Sequence, residues 1–161
     1  MKAKVSLLFL VTILTGLIIF PTLFDNVIVS KSFTFKSVDK KKVWAKNDTV
    51  SFKFNYTKDD AIGLELFFRI NQNYNHYSNL FLFCELINTY SNDTIVDTLE
   101  FQIYDSWGQC LGSGPSGIKT FEKNWKKNYP LNGGEYLLNI IHGMRTEKLQ
   151  GFENIGFKIK K

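Results

Sequence analysis

Apolar and polar residues alternate along much of this 161-residue sequence, and this period of two constrains the fold more than any other feature. In residues 49–57 every second side chain is valine, phenylalanine or tyrosine, and the side chains between them are polar. Successive side chains of a β-strand point to opposite faces, so this pattern is typical of a half-buried strand. Residues 64–71 and 95–103 alternate in a similar way, whereas residues 79–87 are apolar on both faces, as in a central strand that is covered on both sides.

Four further segments have the composition of strands, the last two less clearly: 136–140, 155–159, 32–38 and 118–126. The segment 130–134 contains proline, asparagine and two glycines and predicts a tight turn, because asparagine and glycine tolerate positive φ. No stretch after residue 24 has a convincing helical period. These features predict an all-β fold, a two-sheet antiparallel β-sandwich of jelly-roll type with about eight strands.

A run without charged residues covers residues 5–24 and follows Lys2 and Lys4. A positive start before such a run is typical of a secretory signal peptide or a signal anchor, and as a helix the run would span roughly 30 Å, about one bilayer core. We therefore expect an N-terminal hydrophobic helix within residues 1–24 and one sandwich domain over residues 25–161. The apolar residues expected to anchor the chain are Val5, Leu7, Leu8, Phe9, Leu10, Ile13, Leu14, Leu17, Ile18, Ile19 and Phe20.

The fate of this segment decides where the protein resides. Cleavage and retention as an anchor both remain open, because no clean signal-peptidase site is evident. The lysines before the run keep the N-terminus in the cytoplasm and export the rest. We therefore expect a membrane-anchored protein of the cell envelope whose domain faces the periplasm, with the inner and the outer membrane both open.

Charge and motifs exclude several function classes. The formal net charge of +5 falls to +3 over residues 25–161, which carry 18 basic and 15 acidic residues, and so small an excess argues against nucleic-acid binding. The loop 112–117 matches G-x-G-x-x-G, but it contains Pro115 and no clear helix follows, so no nucleotide or other cofactor is predicted. Without a nucleophile motif or converging titratable groups, the chain is predicted not to be an enzyme.

The two cysteines permit one disulfide at most. Cys84 lies in the predicted central strand and Cys110 in the glycine-rich loop. Export would allow them to pair. A free Cys84 is equally compatible with the sequence, because cysteine packs in cores as a small hydrophobic residue.

Aromatic residues are the candidates for a binding surface. Trp107, Trp44 and Tyr77 are expected to present rings to a partner protein or a glycan, since an aromatic face can cover the apolar face of a sugar. The alternative for the two tryptophans is structural, with Trp44 holding the first strand and Trp107 fixing a long loop.

Taken together, several segments resemble the gliding-motility lipoprotein family GldH of Bacteroidetes. The match is colinear from about residue 25 to the end of the sequence. The segments that carry it are 44–54, 77–83, 97–100, 107–112, 129–136, 144–145 and 151–161. Each segment is weakly specific, but their order and spacing together are more so.

The resemblance implies a non-enzymatic envelope component of the gliding-motility and type IX secretion apparatus, acting as a structural or assembly adaptor. Its implied partners are other envelope proteins of that apparatus, with the membrane reached through the N-terminal segment. Members of the family usually carry a lipidated cysteine where this chain has Leu23, Phe24 and Asp25. The alternative function is an exported carbohydrate-binding β-sandwich module.

Overall fold

The computed structural model of the protein describes residues 27–34, 37–38, 41–115 and 117–161. The predicted hydrophobic helix and all of its anchor residues lie outside this part. Every regular element within it is a strand, and it contains no helix that is long and apolar enough to cross a membrane. The strands are β1 (Val27–Thr34), β2 (Ser37–Val38), β3 (Lys41–Ala45), β4 (Val50–Tyr56), β5 (Asp60–Asn71), β6 (Asn79–Asn88), β7 (Thr94–Gln102), β8 (Ile118–Leu131), β9 (Gly134–His142), β10 (Lys148–Gln150) and β11 (Phe152–Lys160).

Eight of these strands form two four-stranded antiparallel sheets. The first sheet has the order β1-β11-β5-β8, and the second has the order β4-β9-β6-β7. Only the β6–β7 hairpin joins two of the eight strands within one sheet, and every other connection crosses from one sheet to the other. This is the strand order of an eight-stranded jelly roll. The predicted all-β sandwich and its type are therefore confirmed.

The core lies between the two sheets and is rich in aromatic rings. β4 alternates as the sequence predicts, with its valine, phenylalanines and tyrosine buried and the residues between them exposed. At the centre, Phe68 of β5 stacks on Phe121 of β8 with the ring centroids 5.1 Å apart. The ring of Phe101 in β7 packs edge-on against Phe68 at 4.9 Å, which joins the two sheets. Such pairs add to the burial energy of the rings themselves.

One edge of the sandwich is closed by hydrogen bonds between β7 and β8. Asp97 Oδ2 accepts a hydrogen bond from Trp125 Nε1 at 2.7 Å and lies 2.7 Å from Lys126 Nζ. The hydrogen bonds from Lys126 and then from Trp125 lower the pKa of Asp97. These bonds tie an edge strand of each sheet to the other.

A small third sheet of order β10-β3-β2 covers one end of the sandwich. Trp44 of β3 is completely buried there, and its Nε1 donates to the carbonyl oxygen of Asp48 at 2.8 Å. Its ring packs edge-on against His142 and Phe152, with centroids 5.3 Å and 5.5 Å away. Strands β3 and β10 are too short to produce a pattern of alternation, and the sequence did not predict them.

Candidate binding surfaces

The outer face of the second sheet exposes apolar side chains. β6 buries its core-facing residues Leu80, Leu82, Cys84 and Leu86. On the opposite face Phe83 is 48% exposed, and Val96 of the neighbouring β7 is 68% exposed. The prediction that β6 is covered on both sides is therefore wrong. β6 lies inside its sheet, between β9 and β7, but that sheet is an outer layer of a two-layer sandwich.

Two apolar pairs flank a polar centre on this outer face. Phe83 pairs with Ile141 of β9, and Ile87 pairs with Leu137 farther along the same two strands. The ring of Phe83 packs closely over the loop after β9, where a Cβ on Gly143 would lie 2.9 Å from the ring. We call Phe83, Ile87, Val96, Leu137 and Ile141 the outer apolar patch.

A row of hydrogen bonds crosses the middle of the outer apolar patch. Ser51 Oγ donates to Asn139 Oδ1 at 2.7 Å, and Asn139 Nδ2 donates to Glu85 Oε2 at 2.9 Å. These polar groups satisfy each other across three strands. The centre of the patch therefore has polar groups that are paired with one another, between apolar side chains, which suits contact with another protein.

The outer face of the first sheet has a different character. Lys158 of β11 lies 3.2 Å from Glu65 and 2.7 Å from Glu122, and Lys160 lies 3.0 Å from Glu65. The two glutamates raise the pKa of Lys158 against the opposing effect of burial. Such pairs stabilise a surface little, but they make it a hydrated face. The two outer faces of the sandwich thus differ in the partners they can take.

A second candidate site is a cleft between two loops at one end of the second sheet. The loop after β5 and the segment after β7 border an open depression with a volume of about 250 Å³. We call it the loop cleft, and its lining residues are His76, Ser78, Tyr104, Asp105 and Gly108.

Backbone hydrogen bonds hold the two loops of the cleft together. The carbonyl oxygen of Ser78 accepts from the backbone N–H of Ile103 at 2.7 Å and from that of Tyr104 at 3.2 Å. The Tyr104 hydroxyl lies 3.5 Å from His76 Nδ1, and the two rings are 6.0 Å apart. Burial, with a smaller contribution from Cys110, raises the pKa of Tyr104. The phenol therefore stays protonated and can donate a hydrogen bond.

The loop that carries Trp107 is a tight turn fixed by one carboxylate. Asp105 Oδ1 accepts from the backbone N–H of Trp107 at 2.9 Å and from that of Gln109 at 2.8 Å. Gly108 has a φ of +79°, which glycine adopts without strain. Trp107 itself is 90% exposed, so a rigid turn holds a large aromatic side chain in solvent.

The structure places the three predicted aromatic residues in different surroundings, and their role as a binding surface stays a prediction. Trp107 and Tyr77 are both exposed and arise from the two loops that line the cleft. Trp44 is wrong as a surface residue, because β3 places it under the small third sheet with no exposed area. Sequence reasoning missed His76, Tyr104 and Asp105 as neighbours, since no motif connects two segments separated by a hairpin.

Both cysteines are free, so the disulfide between Cys84 and Cys110 is not formed. Cys84 pairs with Asp97 across the sheet, whereas Cys110 forms a bridge with Tyr104. Asp97 and Tyr104 are seven residues apart along extended chain, roughly 23 Å at the rise of a strand. A disulfide needs Cα atoms within about 7 Å. The alternative, a free core thiol at Cys84, is what the structure has, and burial, followed by the charge of Asp97, raises its pKa to about 12.

His142 is a buried titratable group outside both surfaces. Its side chain is almost fully buried against Trp44, and neither ring nitrogen makes a well-formed hydrogen bond within the described residues. Burial lowers the pKa of His142, and a weak hydrogen bond with the backbone of Trp44 offsets only part of that effect. Within the ranges that the structure covers, no group of three or more histidine, cysteine, aspartate and glutamate side chains could hold a metal ion.

Comparison with solved structures gives matches of low TM-score to distant proteins. VP2 of infectious bursal disease virus, in its subviral particle, is 10% identical with a TM-score of 0.41, covering 88% of this chain and 36% of the viral chain. PorU from Porphyromonas gingivalis is 14% identical with a TM-score of 0.40, covering 88% of this chain and 13% of PorU. This chain therefore spans about a third of the viral protein and about an eighth of PorU.

The strand order defines the class of protein, an eight-stranded jelly-roll sandwich, which by itself is compatible with many functions. The sequence model of the GldH lipoprotein family matches residues 32–159. The gliding motility lipoprotein GldH homolog of Christiangramia forsetii is 31% identical over 145 residues, covering 79% of this chain and 88% of the relative. The gliding motility lipoprotein GldH of Flavobacterium johnsoniae is 31% identical over 142 residues, covering 77% and 87%.

The chain belongs to the GldH lipoprotein family. The predicted family is thereby confirmed, and a family of lipoproteins is one of membrane-associated proteins of the cell envelope. The two cysteines of this sequence both lie within the sandwich domain, at Cys84 and Cys110. Neither occupies the end of the apolar run, where the family resemblance places a lipidated cysteine.

Proposed function

We propose that this protein is a non-enzymatic component of the gliding-motility and type IX secretion apparatus in the cell envelope, where it acts as a structural or assembly adaptor. Family membership supports the setting. The observation that carries the adaptor role is the outer apolar patch, with Phe83 48% and Val96 68% exposed.

The two outer faces of the sandwich differ in the side chains that they expose, apolar on the second sheet and charged on the first. Large apolar areas on a soluble domain mark sites of contact with other molecules. The patch has an aromatic side chain, Phe83, with aliphatic neighbours, and a few large side chains commonly supply most of the binding energy of an interface. On the charged face of the first sheet, the ring of Phe67 already has the Lys158 ammonium over it, 5.2 Å from the ring centroid. We therefore expect an apolar protein surface of another envelope component to cover the second sheet.

Retention of the N-terminal segment would place this interface near a membrane. The described part of the chain begins at Val27, directly after the predicted hydrophobic helix of residues 1–24. An uncleaved helix would tether the domain on the periplasmic side and raise its local concentration near membrane-bound partners.

Affinity capture of the full chain from envelope membranes of its own host tests the proposal. The native protein is expected to enrich gliding or secretion components, and Phe83→Ser combined with Val96→Ser is expected to lose most of that enrichment. Tyr90→Ser is the matched control, because Tyr90 is an exposed aromatic residue in the β6–β7 turn, outside the patch. Equal thermal unfolding of the variants must be shown first.

Two outcomes would refute the adaptor role at this face. One is that no gliding or secretion component is enriched over an unrelated membrane protein. The other is that the double variant captures the same components as the native chain. A carbohydrate-binding function is the second candidate, and the loop cleft is the observation that favours it.

A further inference from the structure

We propose that the loop cleft binds one sugar residue of a neutral glycan, with the exposed ring of Trp107 as its stacking platform. Trp107 does not itself line the cleft, but it lies in the turn between two residues that do, Asp105 and Gly108. This inference goes beyond the adaptor function and does not depend on it, because it uses a different surface.

Trp107 differs from the other two tryptophans in its exposure to solvent. The sequence has three tryptophans; Trp44 is buried completely, and Trp125 lies in the core with its Nε1 bonded to Asp97. Trp107 alone of the three is 90% exposed, so it adds nothing to the packing of the sandwich. Removal of the apolar surface of an indole from water lowers the free energy, and Trp107 does not gain this in the fold. A ligand that covers the ring would recover that energy.

Hydrogen bonds fix the turn that carries Trp107. Asp105 Oδ1 holds the backbone N–H groups of Trp107 and Gln109, and the backbone N–H of Gly108 donates to the carbonyl oxygen of Asp105 at 3.1 Å. The residues around the ring are therefore ordered before any ligand arrives. Preorganisation of this kind lowers the entropic cost of binding.

Polar side chains line the loop cleft. His76, Ser78, Tyr104 and Asp105 line it with an imidazole, two hydroxyls and a carboxylate. Such a set combines donors and acceptors at short range, which suits the hydroxyl groups of a sugar. Its volume of about 250 Å³ is below the roughly 300–1,000 Å³ of sites for drug-sized ligands, so it suits a single ring of a longer chain.

Charge selects among glycans. One carboxylate lines the cleft, and no lysine or arginine does. One oxygen of Asp105 is already used in the turn, and the other makes no hydrogen bond with the described residues. A uronic acid or a phosphorylated sugar would be repelled by this carboxylate. A protein partner is better served by the outer apolar patch, where Phe83 is 48% and Val96 is 68% exposed.

Intrinsic fluorescence of the full chain tests the proposal directly. The neutral probes are chitotetraose, cellotetraose and mannotetraose, and tetragalacturonate is the anionic probe. At least one neutral probe is expected to bind saturably, shift the emission to shorter wavelength and protect against quenching by acrylamide, because Trp107 is the exposed tryptophan. Trp107→Ala should weaken that affinity about tenfold or more, as seen by calorimetry, and Trp107→Phe should retain most of it.

The control is Tyr90→Ala, which removes another exposed ring and should leave the affinity unchanged. The proposal is overturned if no neutral probe binds up to about 10 mM, if tetragalacturonate binds best, or if Trp107→Ala binds as well as the native chain. It is also overturned if Trp107→Ala abolishes protein capture while glycan binding is absent, because the loop would then be a protein contact. Failure of the adaptor proposal is read separately, at Phe83.

Discussion

Replacement of the buried histidine tests the description of the core most directly. His142 packs edge-on against Trp44 with ring centroids 5.3 Å apart, and its ring nitrogens lack well-formed partners in the described part of the chain. A buried polar group without a partner costs about 1–3 kcal/mol. His142→Phe keeps an aromatic ring at the site and removes both nitrogens. At pH 8 the variant is therefore expected to be more stable by about 1–2 kcal/mol, allowing for the somewhat larger ring.

The pH dependence of this difference has a definite sign. Burial holds the pKa of His142 below its unfolded value of about 6.5. Below that pH the unfolded chain binds a proton that the folded chain does not, so the native protein loses stability as the pH falls. The loss approaches about 1.4 kcal/mol per pH unit until the folded pKa is reached. His142→Phe cannot show it, so its advantage over the native chain should grow between about pH 6.5 and pH 5.

Urea unfolding of the full chain, followed by tryptophan fluorescence from pH 8 to pH 5, measures both quantities. His76→Phe is the matched control, since it replaces the other histidine of the sequence and isolates what that residue contributes. A stability difference between native and His142→Phe that does not change with pH would refute the reasoning. So would a variant that is less stable at pH 8, because the imidazole would then have partners that phenylalanine cannot replace.

Two further predictions concern the sandwich edge and the thiols. Asp97→Asn should lower the free energy of unfolding by about 1 kcal/mol, because it weakens the bonds to Trp125 and Lys126. Since the pKa of Asp97 is lowered in the fold, this contribution should disappear in the native chain as the pH falls below about 3.9. An equal loss of stability with acid in both chains would contradict the prediction. Ellman's reagent should react with one thiol in the folded chain and with two after denaturation without reductant, since Cys84 is buried and Cys110 is partly exposed. If no thiol reacts in the denatured chain, the two cysteines form a disulfide after all.

The sequence predicted the sandwich because alternation directly records which side chains face a core. β4 follows this rule at every position. The same reasoning failed at β6, where Phe83 and Ile87 are apolar but face outward. An apolar side chain favours burial without requiring it, because much of the surface of a folded protein is apolar, and the sequence does not say whether any cover comes from the same chain. The protein contact that we propose for the outer apolar patch would supply such a cover at β6.

The candidate sites were less predictable because exposure is a tertiary property. Trp44 and Trp107 are the same residue type in similarly polar surroundings, yet one is fully buried and the other is 90% exposed. The difference arises from the small third sheet, whose strands are too short for a sequence pattern. The contact between Tyr104 and His76 depends on pairing between segments separated by the β6–β7 hairpin, which no local pattern records.

The two proposed surfaces adjoin the same sheet, and their separation can be tested. Ser78 of the loop cleft lies five residues before Phe83 on an extended chain, roughly 16 Å at the rise of a strand. Substitutions more than about 10 Å apart without shared partners usually have additive effects. Phe83→Ser should therefore reduce protein capture and leave glycan affinity unchanged within about threefold, and Trp107→Ala should do the reverse. If either substitution impairs both activities in a folded chain, the patch and the cleft form one continuous interface, and a single partner that carries both protein and glycan must be sought.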